Sequence, residues 1–354
     1  MISKEFFKAL DQVAEDRDVP KEKILDILGK GLLNAYKKDY NGQQNAKVVF
    51  NEERAEILIV ATYLVVEDID PEAEKGTQIT VDEAQELKKN ARVGDIIEVR
   101  ITPKDFGRIA ASSAKQILTQ GLKQLERERN FEIFSAKVGE MVIAEVVAIS
   151  DEFVTLYLGY ETETSIPARD LLESDLVIGN QVRVYITKVE QTTKGPKVYV
   201  SRTDRNLVKR LMENAIPELQ EGIVEIMGLA RDPGDRCKVC VASNNPKVDP
   251  VGACLGRNGV RIREVIDLLN GEKIDVYKYS ENPEELVSNA IQPAKSIAVI
   301  IDQREKSAIA IVPDDQLSLA IGKRGQNARL AVQSSGWKID IKSETDALIQ
   351  DIQH

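Results

Sequence analysis

Two short segments of the sequence combine a pair of glycines with basic side chains. They are Gly256-Arg257-Asn258-Gly259 and, sixty-six residues further on, Gly322-Lys323-Arg324-Gly325. Glycines at this spacing allow a sharp turn and let another molecule approach the main chain closely. A helix that begins after such a turn offers free N–H groups and the positive end of its dipole to an anion. The chemistry predicted for both segments is therefore phosphate binding.

The residues that follow each glycine pair strengthen this prediction. Arg261 and Arg263 follow the first pair, Arg329 follows the second, and neither eight-residue segment contains an acid. Cationic side chains and helix N-termini that converge on a glycine turn fit the sugar-phosphate chain of single-stranded RNA. The net charge of −10 argues against nonspecific coating of nucleic acid, but it does not describe these two locally basic segments.

Both glycine pairs occupy the same place in an internal repeat. Each repeat has the order helix, strand, strand, helix, glycine pair, helix and strand, and the repeats end in GEKIDV and GWKIDI. We predict opening helices and strand pairs at 204–216, 222–230 and 237–242, and again at 283–293, 296–301 and 308–312. This is the order of a type II K-homology (KH) module, which clamps about four nucleotides along its glycine loop. A single glycine pair is most often a helix cap. Two glycine pairs at the same position of a repeated helix–strand order favour RNA binding instead.

The repeat sets the predicted domain boundaries in the C-terminal half of the chain. We predict a first repeat at 204–280, a second repeat at 281–344 and a short tail at 345–354. Only the stretch SENPEE separates the repeats, with Pro283 placed to begin the next helix. A joint this short predicts that the two repeats pack against each other.

Residues 135–203 have the pattern of a small β-barrel or sandwich. Short β-branched runs separated by Gly, Pro and Asn occur at 141–149, 153–158, 181–189 and 197–201. Alternation along these runs places four side chains outward: Phe153, Tyr157, Arg183 and Tyr185. Outward aromatic rings beside a base suit the stacking of single-stranded nucleic acid. Aromatic residues are also good strand formers, and alternation alone favours neither interpretation.

Residues 1–134 have the pattern of an α+β domain. Helices are predicted to begin at Ser3 and Pro20, and strands and a long final helix are predicted at 47–50, 56–66, 95–101 and 107–134. The second half of the long helix contains LKQLERERN, whose charge predicts a solvated connector between domains.

Composition excludes several classes of protein. The chain is 42% apolar and 30% charged, and it has no apolar run long enough to span a membrane. The first residues carry acids early and lack an apolar segment followed by a cleavage site, so we expect no secretory signal. Three cysteines argue against a disulfide scaffold, so we expect a cytoplasmic protein. Cys237 and Cys240 match zinc spacing, but they alternate to opposite faces of a predicted strand, and the single histidine is the terminal His354. We therefore expect no metal, no cofactor, no catalytic group and no enzymatic activity.

Four segments resemble the NusA family of bacterial transcription factors. They are DPVGACLGRNGVR (249–261), NGEKIDVYKYS (270–280), PDDQLSLAIGKRGQNARLA (313–331) and GWKIDIKS (336–343). The resemblance extends over essentially the whole chain and implies an N-terminal domain, an S1-type OB-fold barrel and two tandem KH domains. It adds Gln326 and Asn327 to the predicted RNA contacts.

The resemblance also implies a function and partners. Family members bind core RNA polymerase through the N-terminal domain and the emerging transcript through the barrel and KH domains. They modulate hairpin pausing, intrinsic termination and, with other Nus factors, antitermination. We expect a monomer, with the long helix and the nearby Arg100, Lys104 and Arg108 as candidate polymerase contacts. KH and S1-type modules also occur in a phosphorolytic ribonuclease, but there they follow a large catalytic core, with KH before S1.

Overall fold

The computed structural model describes residues 4–17, 19–40, 45–73 and 76–349. The chain divides into two units, Met1–Arg129 and Asn130–His354. The predicted helix cap Ser3 and the histidine His354 lie outside the described residues. No helix in the described ranges is both long and apolar enough to cross a membrane.

The first unit packs helices on one face of a small mixed sheet. Its elements are α1 (Lys4–Arg17), α2 (Lys21–Tyr40), β1 (Ala46–Asn51), β2 (Glu56–Val66), β3 (Gln78–Thr80), α3 (Val81–Leu87), β4 (Ile96–Arg100) and α4 (Phe106–Ser135), which continues into the second unit. β2 pairs antiparallel with β1 and β4 and parallel with β3. The core joins Leu28, Ile59 and Phe106, so the α+β prediction is confirmed. β3 and α3 were not predicted, although Thr80 and Glu83 form a capping box at the start of α3.

A five-stranded barrel opens the second unit. Its strands are β5 (Met141–Ile149), β6 (Phe153–Tyr157), β7 (Glu163–Pro167), β8 (Gln181–Thr192) and β9 (Gly195–Ser201), in the spatial order β7-β6-β5-β8-β9. The Thr164 hydroxyl donates to the Val198 carbonyl at 2.6 Å, which joins β7 to β9 and nearly closes the sheet. The core includes Val154, Leu156 and Val184, which alternate along their strands with the residues predicted to face outward. The short, polar β7 was not predicted.

Two repeats of one topology complete the chain. The first contains α5 (Arg205–Ala215), α6 (Pro217–Gln220), β10 (Val224–Asp232), β11 (Arg236–Ser243), α7 (Pro250–Leu255), α8 (Val260–Leu268) and β12 (Lys273–Lys278). The second contains α9 (Pro283–Ala290), β13 (Ala298–Asp302), β14 (Ser307–Val312), α10 (Leu317–Ile321), α11 (Gln326–Ser335) and β15 (Lys338–Ser343). In each, the middle strand pairs antiparallel with the preceding strand and parallel with the following one. The predicted tail instead begins with a helix, α12 (Glu344–Ile349).

The two repeats pack against each other, as the short joint predicted. Cys240 and Tyr277 of the first repeat lie in the apolar core of the second. A Cβ atom on Gly228 would lie 1.9 Å from the Ser334 carbonyl oxygen, so the backbone of β10 touches the backbone of α11. The buried Lys238 donates to the carbonyls of Ala290 at 2.8 Å and Gln292 at 2.7 Å. Burial lowers the pKa of Lys238 to about 8.

Buried charged side chains join the barrel to the first repeat. Arg202, which follows β9, is 2% exposed and donates to the Asp175 carboxylate at 3.0 Å and to the Leu268 carbonyl at 3.2 Å. Arg231 on β10 pairs with the fully buried Glu272 at 2.9 Å and also donates to the carbonyl of Arg202 at 3.0 Å. The barrel and the first repeat are therefore held by paired charges in addition to apolar contacts.

Candidate nucleic-acid interface

The two glycine turns have the same backbone conformation. The first glycine has φ/ψ of 69°/176° at Gly256 and 76°/169° at Gly322. The third residue is left-handed, with φ 55° at Asn258 and 54° at Arg324, and the last glycine has φ 72° in both turns. Each turn is followed directly by a helix, α8 or α11. Two segments with different side chains thus present the same loop.

The first glycine of each turn is required for two reasons. Its φ/ψ values lie in a region that only glycine occupies readily. A Cβ on Gly256 would lie 2.7 Å from Arg261 Cγ, and one on Gly322 would lie 2.8 Å from both the Asn327 Cβ and its backbone nitrogen. The last glycine of the second turn, Gly325, has open space at the corresponding position. The first glycine is therefore needed because other parts of the protein lie against it. The last glycine of the second turn has no such neighbour and remains accessible to another molecule.

Alanine substitution separates these two roles. We expect Gly322→Ala to destabilise the second repeat by about 3 kcal/mol, because it combines backbone strain with a steric clash. Gly325→Ala is the matched control and is expected to cost about 1 kcal/mol, because it adds a left-handed alanine without a clash. The single tryptophan, Trp337, packs against the core of the second repeat, so its fluorescence during urea unfolding reports the difference. Equal costs for both variants would contradict the role assigned to Gly322.

Basic and polar side chains of both turns face solvent. Arg257 and Asn258 in the first turn and Lys323 and Arg324 in the second are exposed. Arg263 is also exposed, and it donates to the Asn258 carbonyl. These five residues surround accessible glycine turns at helix N-termini, as phosphate binding requires.

Two predicted RNA contacts have structural partners. Asn327 is 3% exposed, and its amide donates to the carbonyls of Ile291 at 3.0 Å and Ala320 at 2.9 Å. Its side chain therefore holds the second turn in place and cannot reach a ligand at the surface. Arg261 is half-buried and pairs with Glu218 at 2.7 Å, but 35% of its side chain remains exposed. Direct contact is therefore corrected to a positioning role for Asn327, and for Arg261 it stays a prediction.

Two further predicted contacts join the repeats to each other. Gln326 donates to the carboxylates of Asp232 at 2.8 Å and Asp235 at 2.7 Å, and Arg329 pairs with Asp232 at 2.7 Å. Both acids lie at the turn between β10 and β11 of the first repeat. Gln326 and Arg329 thus fix the second glycine turn relative to the first repeat, and Arg329 remains half-exposed beside it.

The barrel side chains predicted from alternation fall into two groups. Phe153 is 50% exposed, and Tyr157 on the same strand is half-buried. Tyr185 faces outward from the barrel, but it packs against the core of the first repeat. Arg183 is half-buried on the same strand, and its carbonyl accepts from Arg202 at 3.1 Å. The first repeat therefore contacts part of the Tyr185 side chain, which is half-buried, and stacking of Tyr185 on RNA stays a prediction.

Alternation did not single out a second set of barrel residues. Lys188 Nζ lies 6.0 Å and Lys197 Nζ lies 4.9 Å from the ring centroid of Tyr199, on the hairpin formed by β8 and β9. A register shift between Ile186 and Lys188 changes which residues of β8 face outward. The sequence feature that could have identified these residues is the group of lysines close to one tyrosine in that hairpin.

The candidate polymerase contacts lie together in sequence and at the surface. Arg100 ends β4 and Arg108 lies in the first turn of α4, with Lys104 between them, and all three are exposed. Arg100 lies 3.9 Å from Glu56, and Arg108 lies 3.9 Å from Asp105. These exposed pairs are weak enough to exchange for another partner.

The cysteines are structural. Cys237 lies in the core of the first repeat, whereas Cys240 lies in the core shared with the second, so the predicted opposite facing is confirmed. Burial raises the pKa of Cys240 to about 11 and that of Cys254 to about 12, which keeps these thiols protonated. Within the described ranges, no group of three or more His, Cys, Asp or Glu is placed to hold a metal ion.

Comparison with known proteins agrees with this architecture. The family model for the NusA N-terminal domain matches residues 5–128, and those for the NusA-like first and second KH domains match residues 202–279 and 283–348. The chain is 42% identical over 347 residues to the transcription termination/antitermination protein NusA of Bacillus subtilis, covering 98% of this chain and 92% of that protein. It is 42% identical to the protein of the same name from Halalkalibacterium halodurans, covering 98% and 90%, and 36% identical to that from Thermus thermophilus, covering 96% and 89%. The chain therefore belongs to the NusA family.

Proposed function

We propose that the protein is a transcription elongation factor that binds RNA polymerase and nascent single-stranded RNA. Through these contacts it modulates hairpin pausing, intrinsic termination and, with other Nus factors, antitermination. Membership of a family whose curated members are named transcription termination/antitermination proteins supports this function. The observation that carries the RNA-binding part is the pair of glycine turns, which share one backbone conformation and present exposed basic or amide side chains.

The proposal divides the work between the ends of the chain. Residues 1–134 hold the polymerase, with Arg100, Lys104 and Arg108 as contacts. The barrel at 135–203 and the KH domains at 204–280 and 281–344 hold RNA, and the chain acts as a monomer. Polymerase attachment keeps the RNA-binding domains near the transcript, which raises their effective concentration there. The proposed RNA contacts are Gly256, Arg257, Asn258, Gly259, Arg261, Arg263, Gly322, Lys323, Arg324, Gly325 and, directly after the second turn, Gln326 and Arg329.

In vitro transcription on a template with a hairpin pause tests this proposal. We expect the full chain to lengthen the pause at concentrations where neither fragment 1–129 nor fragment 130–354 does so alone or mixed. The cut between Arg129 and Asn130 follows the division of the chain into units and keeps Phe134 with the barrel core. An unlinked mixture as effective as the full chain at equal, sub-saturating concentration would contradict the tethering step. Absence of any effect of the full chain would contradict the function.

The alternative of an RNA-degrading enzyme is weaker. Residues 1–134 are few for a phosphorolytic catalytic core, and the barrel precedes the KH domains. We infer that the protein acts by binding and not by catalysis. Incubation of labelled RNA with the protein and inorganic phosphate, with no loss of full-length RNA, is the expected result.

A further inference from the structure

The outer face of the β8–β9 hairpin concentrates positive charge around one aromatic ring. We define the hairpin face by Lys188 on β8, Lys194 in the turn, and Lys197 and Tyr199 on β9. Lys188 is the cross-strand partner of Tyr199, and Lys197 precedes Tyr199 by two residues on the same side of the strand. One surface of the barrel thus presents Lys188, Lys197 and the half-buried Tyr199, and the exposed Lys194 lies in the adjoining turn.

The ring of Tyr199 is held in a defined position. Its hydroxyl donates to Glu190 at 2.8 Å, and Glu190 also pairs with Lys188. Glu190 is an acid on the hairpin face, and through these two contacts it orients the Tyr199 ring and Lys188. A tyrosine fixed at its hydroxyl loses little conformational freedom when a planar group stacks on it. Lys194 and Lys197 are exposed beside it.

The aromatic side chains on β6 lie among acids, which is unfavourable for RNA. Tyr157 on β6 lies between two cross-strand carboxylates, Glu145 on β5 and Glu163 on β7. Both glutamates are exposed. Phe153 at the other end of β6 follows Asp151 and Glu152, which are exposed as well. A phosphate chain that stacked its bases on Tyr157 or Phe153 would approach these acids, whereas the hairpin face offers cations.

A series of contacts also links the hairpin face to the helix that begins at the first glycine turn. The cross-strand pair Lys188–Tyr199 lies next to the cross-strand pair Tyr185–Ser201 on the same hairpin. Tyr185 packs against the first repeat. Arg202 then bonds the Leu268 carbonyl at the end of α8. The nine residues of α8 span about 14 Å back to the glycine turn at its start. A few nucleotides of RNA cover such a distance.

We propose that the hairpin face is a binding site for single-stranded RNA, in which Tyr199 stacks on a base and Lys188, Lys194 and Lys197 contact phosphates. The inference rests on the proposed function and extends it, because it moves the RNA contact of the barrel away from Phe153 and Tyr157. RNA long enough to leave the glycine turns engages this face, and shorter RNA does not.

Binding of two RNA lengths to the full chain tests the site. An unstructured RNA of about eight nucleotides is too short to extend beyond the KH domains, whose loops each bind about four nucleotides. One of about 24 nucleotides adds the length that a barrel can cover. At 0.1 M salt, Lys188→Gln with Lys197→Gln is expected to weaken binding of the long RNA about 25-fold, because each lysine–phosphate interaction contributes about fivefold, and to leave binding of the short RNA unchanged. Tyr199→Leu is expected to weaken binding of the long RNA about tenfold, and Tyr199→Phe to retain it.

A matched control removes the same charge elsewhere on the barrel. Lys137→Gln with Arg169→Gln is expected to leave both affinities unchanged. An unchanged affinity of the long RNA in the Lys188/Lys197 variant, or an equal loss for both lengths, would overturn the hairpin site. Charge reversal at the glycine turns must weaken binding of both RNA lengths. If it weakens neither while the hairpin variant weakens binding of the long RNA, the hairpin site stands and the KH contacts of the proposed function fail.

Discussion

Replacing Lys323 and Arg324 together by aspartate is expected to lower the affinity of the full chain for single-stranded RNA by about a hundredfold at 0.1 M salt. Removal of each cation–phosphate interaction costs about fivefold at that salt concentration, and the new carboxylates repel the remaining phosphates. The slope of log affinity against log salt should also fall by about 1.4 for the two interactions. Titration of a fluorescent RNA at several salt concentrations measures both quantities. The pair Arg257 and Asn258 in the first turn contains one cation, so its replacement by aspartate should also weaken binding but should lower the slope by only about 0.7.

A matched variant separates the loop from the general charge of the second repeat. Lys306 and Lys338 are exposed lysines of that repeat outside the glycine turn. Replacing both by aspartate changes the net charge by the same amount and is expected to alter affinity less than about threefold, because screened charges at a distance contribute little. Circular dichroism should be unchanged in both variants. If the two variants lost affinity equally, the glycine turns would not be the site.

Replacing Glu272 by alanine is expected to destabilise the first repeat by about 3–5 kcal/mol. The substitution leaves Arg231 buried at 2% side-chain exposure with its charge uncompensated. It also removes the acceptor for the Gly234 backbone N–H, which lies 3.0 Å from the carboxylate. Native-state hydrogen exchange of the β11 and β12 amides measures the destabilisation, because these strands flank the pair.

Two control variants test whether the cost comes from leaving a buried charge without its partner. Lys209→Ala removes an exposed pair with Glu213 at 3.8 Å and is expected to cost about 0.5 kcal/mol. Joint replacement by apolar residues, Arg231→Met with Glu272→Leu, is expected to recover much of the stability, since no charge remains buried. A cost below about 1 kcal/mol for Glu272→Ala would mean that solvent reaches Arg231.

Local patterns predicted the elements that have strong periodicity or strong end signals. β2 was predicted at 56–66 and is observed at Glu56–Val66. The opening helix of the first repeat was predicted at 204–216 and runs from Arg205 to Ala215, with Asp204 as its N-cap. β7 was missed because ETSIP is short and polar and becomes a strand through its pairing with β6. Hydrophobic alternation carries no information about such pairing.

The candidate site was predictable to the extent that it is local. Glycine spacing and neighbouring charge identified both turns, because the turn conformation depends on residues within the segment. The burial of Asn327 depends on carbonyls of Ile291 and Ala320, and the partial burial of Tyr185 depends on the first repeat. Alternation distinguishes the inside of a barrel from its outside. It cannot tell whether another domain lies against the outside.

The contact of the β10 and α11 backbones at Gly228 has a consequence for the length of RNA between the two turns. Because no side chain separates the two backbones at this contact, the first and second repeats have no room to slide past each other. The bonds from Gln326 and Arg329 to Asp232 oppose rotation of one repeat relative to the other. The two turns are therefore separated by a fixed interval, and RNA that occupies both must bridge it with a set contour length. Inserting or deleting nucleotides between the two contact segments should change affinity in steps, whereas flexibly linked domains would show a gradual decline. With both turns bound to RNA as proposed, we expect the pair of KH domains to select transcripts by the spacing of their unpaired segments.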